Sequence, residues 1–208
     1  VEKAANEEIA LQASRESIVL LKNDKNILPL DASGIQKIAV CGPNADEHSY
    51  ALTHYGPLAV EVTSVLKGIQ EKMKGKAEVL YTKGCDLVDA NWPESELIDY
   101  PLTDEEQKEI EKAVDQAKQA DVAVVVLGGG QRTCGENKSR SSLDLPGRQL
   151  DLLKAVAATG KPVVLVLING RPLSINWADK FVPAIVEAWY PGSKGGKAVA
   201  DVLFGEYN

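Results

Sequence analysis

Two histidines and three cysteines in 208 residues leave little material for the commonest metal and nucleophile chemistries. Cys41, Cys85 and Cys134 are odd in number and widely spaced, with no C-x-x-C pair and no histidine nearby. Neither a disulfide framework nor a thiolate metal site is encoded by that spacing. His48 and His54 share one stretch and have no recognisable partner for a relay; lining a cleft and capping loop carbonyls are both open to them. No run approaches the roughly 18 apolar residues that a membrane-spanning helix requires. Basic residues are outnumbered, 23 against 30 acidic, for a net charge of −7, which argues against the phosphate-tracking face usual in nucleic-acid binders. Nucleic acid and membrane are therefore not expected partners. No motif asks for a metal or a cofactor.

What the chain does contain is a core, since 44% of it is apolar and its length suffices to bury one. No linker or internal repeat divides it. Residues 2–17 read as an amphipathic helix, with Ile9, Ala10 and Ala13 followed by Ile18 and Leu21 near one face, so the helix is expected to run into SIVLLKN. This is not the pattern of a signal peptide. A start at Val1 without methionine and an end at Asn208 just after a glycine turn are the expected marks of a piece of a longer polypeptide.

Short strands are read at 36–41, 78–81, 122–127, 162–168 and 184–189. The runs at 122–127 and 162–168 are continuously apolar, as in strands buried on both faces of a parallel sheet. Helical spacing marks 63–74, 103–120, 148–158 and 194–204. Thr103 with Glu106 forms a capping box, and Gly75 and Gly160 are stops. Residues 86–102, acid-rich and interrupted by Pro93 and Pro101, form a long excursion. Alternation of strand and helix predicts a single α/β domain over 1–208: an open, mostly parallel sheet with helices on both faces, an α/β sandwich with Rossmann-like layering. The strands at 37–41, 122–127, 163–168 and 184–189 are expected to be parallel, with the loops after them on one edge.

Ligands of open α/β sheets bind outside the strands' carboxyl ends, which directs attention to the loop after 122–127. Three glycines end that strand, and residues 131–142 (QRTCGENKSRSS) have no apolar period, so the loop from 129 to 142 is expected to be among the most exposed parts of the domain. A nucleotide reading of the glycines is poor. Gly130 to Gly135 has P-loop spacing, but Glu136 and Asn137 stand where lysine and a hydroxyl belong, and Thr133 replaces the third glycine of a dinucleotide motif. Glu136 fits a catalytic acid: a carboxyl group on a glycine-flanked loop can be pressed against substrate and a second domain, where desolvation raises its pKa. Lys138 and Arg140 are then candidates to bind substrate hydroxyls or to offset its charge. An ordinary exposed glutamate with salt-bridging neighbours is the alternative, and with it a domain that binds a small ligand or nucleotide without catalysis, or only braces a neighbour. Cys134 reads as an idle thiol, and Asp144 as an acceptor of backbone hydrogen bonds in the turn before the next helix.

Six stretches taken together carry a resemblance. They are ASRESIVLLKNDKNILPL (13–30), KIAVCGPNAD (37–46), VTSVLKGI (62–69), VVVLGGGQRTCGENKSRSSLDLPGRQLDLLKAV (124–156), KPVVLVLINGRPLSINW (161–177) and AIVEAWYPGSKGGKAVADVLFGEYN (184–208). In this order, and over nearly the whole chain, they resemble the C-terminal α/β sandwich domain of glycoside hydrolase family 3, the β-glucosidase and β-xylosidase group. The resemblance implies a retaining exo-acting enzyme. Its nucleophile is an aspartate of a preceding barrel domain and its acid/base a glutamate in a sandwich-domain loop. Gly135-Glu136, followed by Ser139-Arg140 and by Leu143 to Gly147, looks like that loop, so the acid/base role falls on Glu136. No counterpart of the nucleophile segment or of the barrel is present. The implied partners are a β-linked oligosaccharide or glycoside and the N-terminal barrel of the same parent protein; the implied compartment is periplasmic or secreted.

Overall fold

The apolar runs around Val124 and Val166 become the central strands of a six-stranded sheet in the computed structural model, which describes residues 4–49 and 60–208. In chain order the elements are α1 (Ala4–Ser17), β1 (Val19–Asn23), β2 (Lys37–Cys41), α2 (Val65–Met73), β3 (Glu78–Thr82) and α3 (Asp104–Gln119). They continue with β4 (Val122–Gly128), α4 (Gln149–Ala157), β5 (Val163–Ile168), α5 (Asn176–Phe181), β6 (Ala184–Glu187) and α6 (Gly195–Leu203). The strand order is β1-β6-β5-β4-β2-β3. From β6 to β3 every neighbouring pair is parallel, as the strand-helix alternation predicts.

Side chains alternate across each strand, so the sheet separates two cores. Ile38, Val40, Val124, Val126, Val166 and Ile168 face one way, under α2 and α6. Ala39, Val125, Leu127, Leu165 and Leu167 face the other, under α3, α4 and α5. Within the first layer α2 and α6 touch backbone to backbone. A Cβ on Gly196 would lie 1.8 Å from the Ser64 carbonyl oxygen, and one on Gly68 would lie 2.1 Å from that of Gly196. The buried Asp201 of α6 then collects Arg15 of α1 at 2.6 Å and Lys72 of α2 at 3.7 Å, which ties three helices together. On the opposite layer, α3 starts at the capping box: Glu106 N–H donates to Thr103 Oγ1 at 3.2 Å and Thr103 N–H to Glu106 Oε2 at 2.9 Å.

Two elements differ from the sequence expectations. The first helix does not run into SIVLLKN; it stops at Ser17, and Val19–Asn23 pairs antiparallel with β6 as an edge strand. Ile18 and Leu21 continue the helical stripe in spacing, but a half-exposed apolar run beside an unpaired strand gains more from the ladder than from another helical turn. The other is α5, a six-residue helix whose single buried residue, Ala178, leaves no periodic signal. No helix among the described residues is long and apolar enough to cross a membrane.

Candidate active site

Because five strands are parallel, the segments after β2, β3, β4, β5 and β6 share one edge of the sheet. The loop after β4 is rooted there. Gln149, fully buried at the start of α4, brackets the end of β4: its Oε1 accepts Gly128 N–H at 2.7 Å, and its Nε2 donates to the Gly128 and Leu87 carbonyls at 2.9 and 2.8 Å. Gly129 N–H donates to the Ile168 carbonyl at 2.9 Å and Gly130 N–H to Thr133 Oγ1 at 3.0 Å. The amides of all three glycines are thus engaged within the domain. A phosphate cradle needs such groups directed outward, so the nucleotide alternative loses its structural basis.

Above this root the loop turns sharply. Gly135 sits at φ +138°, Asn137 occupies the left-handed region at φ +60°, and Lys138 N–H donates to the Gly135 carbonyl at 3.2 Å. Asparagine tolerates that conformation better than most side chains. Residues 135–139, with Glu136 and Lys138 among them, are the exposed tip. Arg171, from the segment after β5, donates to the Lys138 carbonyl and holds the tip from one side.

The loop is not exposed throughout, although Gln131, Arg132 and Ser141 are open to solvent besides the tip. Gly129, Gly130 and Thr133 are buried, and so is the Arg140 side chain, 5% exposed. Arg140 Nε lies 2.5 Å from Glu96 Oε1, whose side chain is 3% exposed, and its guanidinium carbon is 5.3 Å from the centroid of the Trp92 ring. The Arg140 guanidinium is thus engaged within the domain, with Glu96 through Nε and with the Asp144 carbonyl through Nη2, rather than open beside Glu136. Lys138 stays exposed beside Glu136. Asp144 also differs from its expected role: its carboxylate accepts the Ser142 hydroxyl at 2.9 Å, and its own N–H donates back to that oxygen at 3.0 Å.

His48 Nδ1 lies 3.0 Å from the Val62 carbonyl oxygen, and its Nε2 lies 3.5 Å from Asp46 Oδ1. His54 lies outside the described residues. Cys41 and Cys85 are buried, and burial pushes the Cys41 thiol up to about 12 and raises Cys85 likewise. Cys134 is half-buried, and a Cβ on Gly170 would lie 3.0 Å from its Sγ and 2.5 Å from the Tyr190 ring. Among the described residues no group of three or more His, Cys, Asp or Glu is placed to hold a metal.

A buried carboxylate that the motifs did not single out closes β6. Glu187 is 6% exposed; Asn169 Nδ2 donates to its two oxygens at 3.1 and 3.0 Å, and Trp189 N–H donates at 2.8 Å. Burial raises its carboxyl above the ordinary carboxylate range, and the hydrogen bonds from Trp189 and Asn169 only partly offset that. The folded state therefore holds this proton more tightly than the unfolded chain. Its contribution to stability is fully present below the unfolded carboxylate value and is lost as pH rises through the higher folded value. Glu187→Gln, which stays neutral, is expected to melt at a temperature whose difference from wild type moves in the variant's favour as pH rises from about 4, near the unfolded glutamate value, through the higher folded one. Melting curves of the 208-residue chain check this, and a pH-independent difference contradicts it.

The sequence profile described as "Glycosyl hydrolase family 3 C-terminal domain" matches residues 18–208. A β-xylosidase of Formosa agariphila is 43% identical over 208 residues, covering 97% of this chain and 27% of its own. A periplasmic β-glucosidase of Salmonella typhimurium is 42% identical over 210 residues, covering 96% and 27%. Among solved structures, a β-glucosidase from Erythrobacter marinus superposes with a TM-score of 0.85 at 35% identity, over 99% of this chain and 29% of that one. The chain spans about a quarter of the length of these relatives. A profile match over nearly the whole chain, with relatives and a solved fold that agree with it, places this chain in glycoside hydrolase family 3, as the C-terminal domain of its β-glucosidase and β-xylosidase type enzymes.

Proposed function

We propose that this chain supplies the acid/base half of a retaining exo-β-glycosidase active site, completed by an N-terminal barrel domain of the same parent enzyme. The substrate is a terminal β-linked glucose or a related sugar such as xylose. The observation that carries the reading is the placement of Glu136: exposed, on the tip of a loop rooted at the sheet's carboxyl edge and held on both flanks. Glu136 protonates the glycosidic oxygen as the bond to the anomeric carbon breaks, then removes a proton from the water that attacks the glycosyl–enzyme ester. Lys138 lies within reach of sugar hydroxyls or of the carboxylate's charge. Contact with the barrel and the sugar desolvates Glu136 and favours its protonated form.

Retaining hydrolysis needs a second carboxylate about 5 to 5.5 Å from the acid. Of the carboxylates beside the tip, Glu96 of the preceding excursion is buried in an ion pair and Asp144 is bonded within its own turn, which supports a nucleophile supplied by the barrel. The test is to trap the parent enzyme with a fluorinated or aziridine glycoside and map the esterified peptide. The ester is expected outside residues 1–208; a modified carboxylate within them overturns the division of labour.

A further inference from the structure

The excursion between β3 and α3 has no regular structure beyond a 3₁₀ turn at Glu94–Glu96. Several of its polar groups are nevertheless engaged with the loop that carries Glu136, the turn that ends it and the start of α4. At its start, the Leu87 carbonyl accepts from Gln149, and Gly147 passes so close that a Cβ there would lie 2.7 Å from Asp89 N. At its end, the Tyr100 and Pro101 carbonyls accept from the two terminal nitrogens of Arg148 at 2.9 and 3.0 Å. Between these ties stands Glu96. One oxygen takes Arg140 Nε at 2.5 Å and the other takes the Ser141 N–H at 2.7 Å, while Arg140 Nη2 donates to the Asp144 carbonyl at 2.8 Å.

Stability alone does not call for such a pair. A buried ion pair generally contributes no more than well-packed apolar side chains of the same volume, and its best-attested use is to fix register. Here the geometry is suited to that. A planar carboxylate gripping a planar guanidinium and the next backbone N–H fixes both the position and the direction of the chain at 140–141, four residues from Glu136. Trp92 against the guanidinium restricts the remaining rotation.

We propose that Glu96 is a positioning residue for the glycosidase reaction: through Arg140 and the Ser141 N–H it sets the height and orientation of the loop tip, so that Glu136 meets the leaving oxygen. This rests on the acid/base reading of Glu136. A group displaced by 1 Å can lose about 10²-fold in rate, and the loss falls only on the step that group serves. The test compares kcat/KM of the parent enzyme on an alkyl β-glycoside, whose departure needs a proton, and on a dinitrophenyl β-glycoside, whose departure does not. Glu96→Gln is expected to lower the first about 10- to 100-fold and the second less than about 3-fold. The double variant E96M/R140M, which leaves no buried charge unpaired, is expected to show the same selective loss while keeping a cooperative melt. Equal losses on both substrates, or none in either variant, overturn the proposal. Glu136→Gln is run alongside: if it is selective for the alkyl substrate and the Glu96 variants are not, only the positioning role fails. If Glu136→Gln is itself unselective, the acid/base reading falls and takes the positioning role with it.

Discussion

Replacing Glu136 by glutamine in the parent enzyme is expected to lower kcat/KM for an alkyl β-glucoside by about 10² to 10⁴-fold, the usual contribution of a positioned general acid. In free energy that is about 2.7 to 5.4 kcal/mol of lost transition-state stabilisation. The same variant is expected to stay within a few-fold of wild type on dinitrophenyl β-glucoside, because dinitrophenolate leaves without a proton. The contrast is the diagnostic. A glutamate that merely supports the fold would lower both rates together, and one that binds sugar would raise KM on both. Glutamine preserves volume at an exposed tip, so a fall in melting temperature is not expected. Steady-state kinetics on the two substrates, with a melting curve as control, measure all three outcomes.

The 208-residue chain alone is expected to leave aryl β-glucosides intact. General acid catalysis multiplies a rate only where a nucleophile and a bound sugar are in place, and the nucleophile belongs on the opposite face of the sugar ring. Among the described residues the carboxyl edge presents an open groove of about 430 Å³ lined by Glu47, Ser49, Lys83, Asp86, Gln131 and Arg132 among others. Ligand sites typically cover most of a small ligand's surface. A sugar that remains largely in water is neither oriented nor held against an acid whose own environment is still aqueous. Product release from the purified chain, abolished by Glu136→Gln, would show that the active site is complete within these residues; recovery of turnover on mixing with the barrel domain is the expected counterpart.

Much of this was legible in the sequence for a simple reason: burial on both faces leaves a continuous apolar run. Val122 to Leu127 and Val163 to Ile168 can only be inner strands, and Thr103 with Glu106 states where α3 begins. The antiparallel β1 was not legible, because Ile18 and Leu21 satisfy helical spacing and an edge strand has one partner to reveal it. The site shows the same division. Glu136 could be placed on a loop tip from its glycine and polar neighbours, but the burial of Arg140 could not, since its partner Glu96 lies 44 residues away in an acid-rich excursion. Gln149 stood in plain view as an amide at the start of an apolar helix, with no local sign that it brackets Gly128. Pairings between distant polar groups follow from the folded path of the chain and leave no periodic trace.

The most direct test of the central claim is the product formed when Glu136→Ala is given dinitrophenyl β-glucoside and sodium azide. The activated substrate still forms the glycosyl–enzyme ester, and without the base its hydrolysis by water stalls. Azide needs no deprotonation: it attacks the anomeric carbon from the face that Glu136 guarded, the carbon–carboxylate bond breaks, and the nucleophile is released. The account predicts that azide accelerates turnover and that the product is the β-glucosyl azide, identified by its anomeric proton coupling. An α-glucosyl azide, or no acceleration at all, would contradict the assignment of Glu136 as the acid/base.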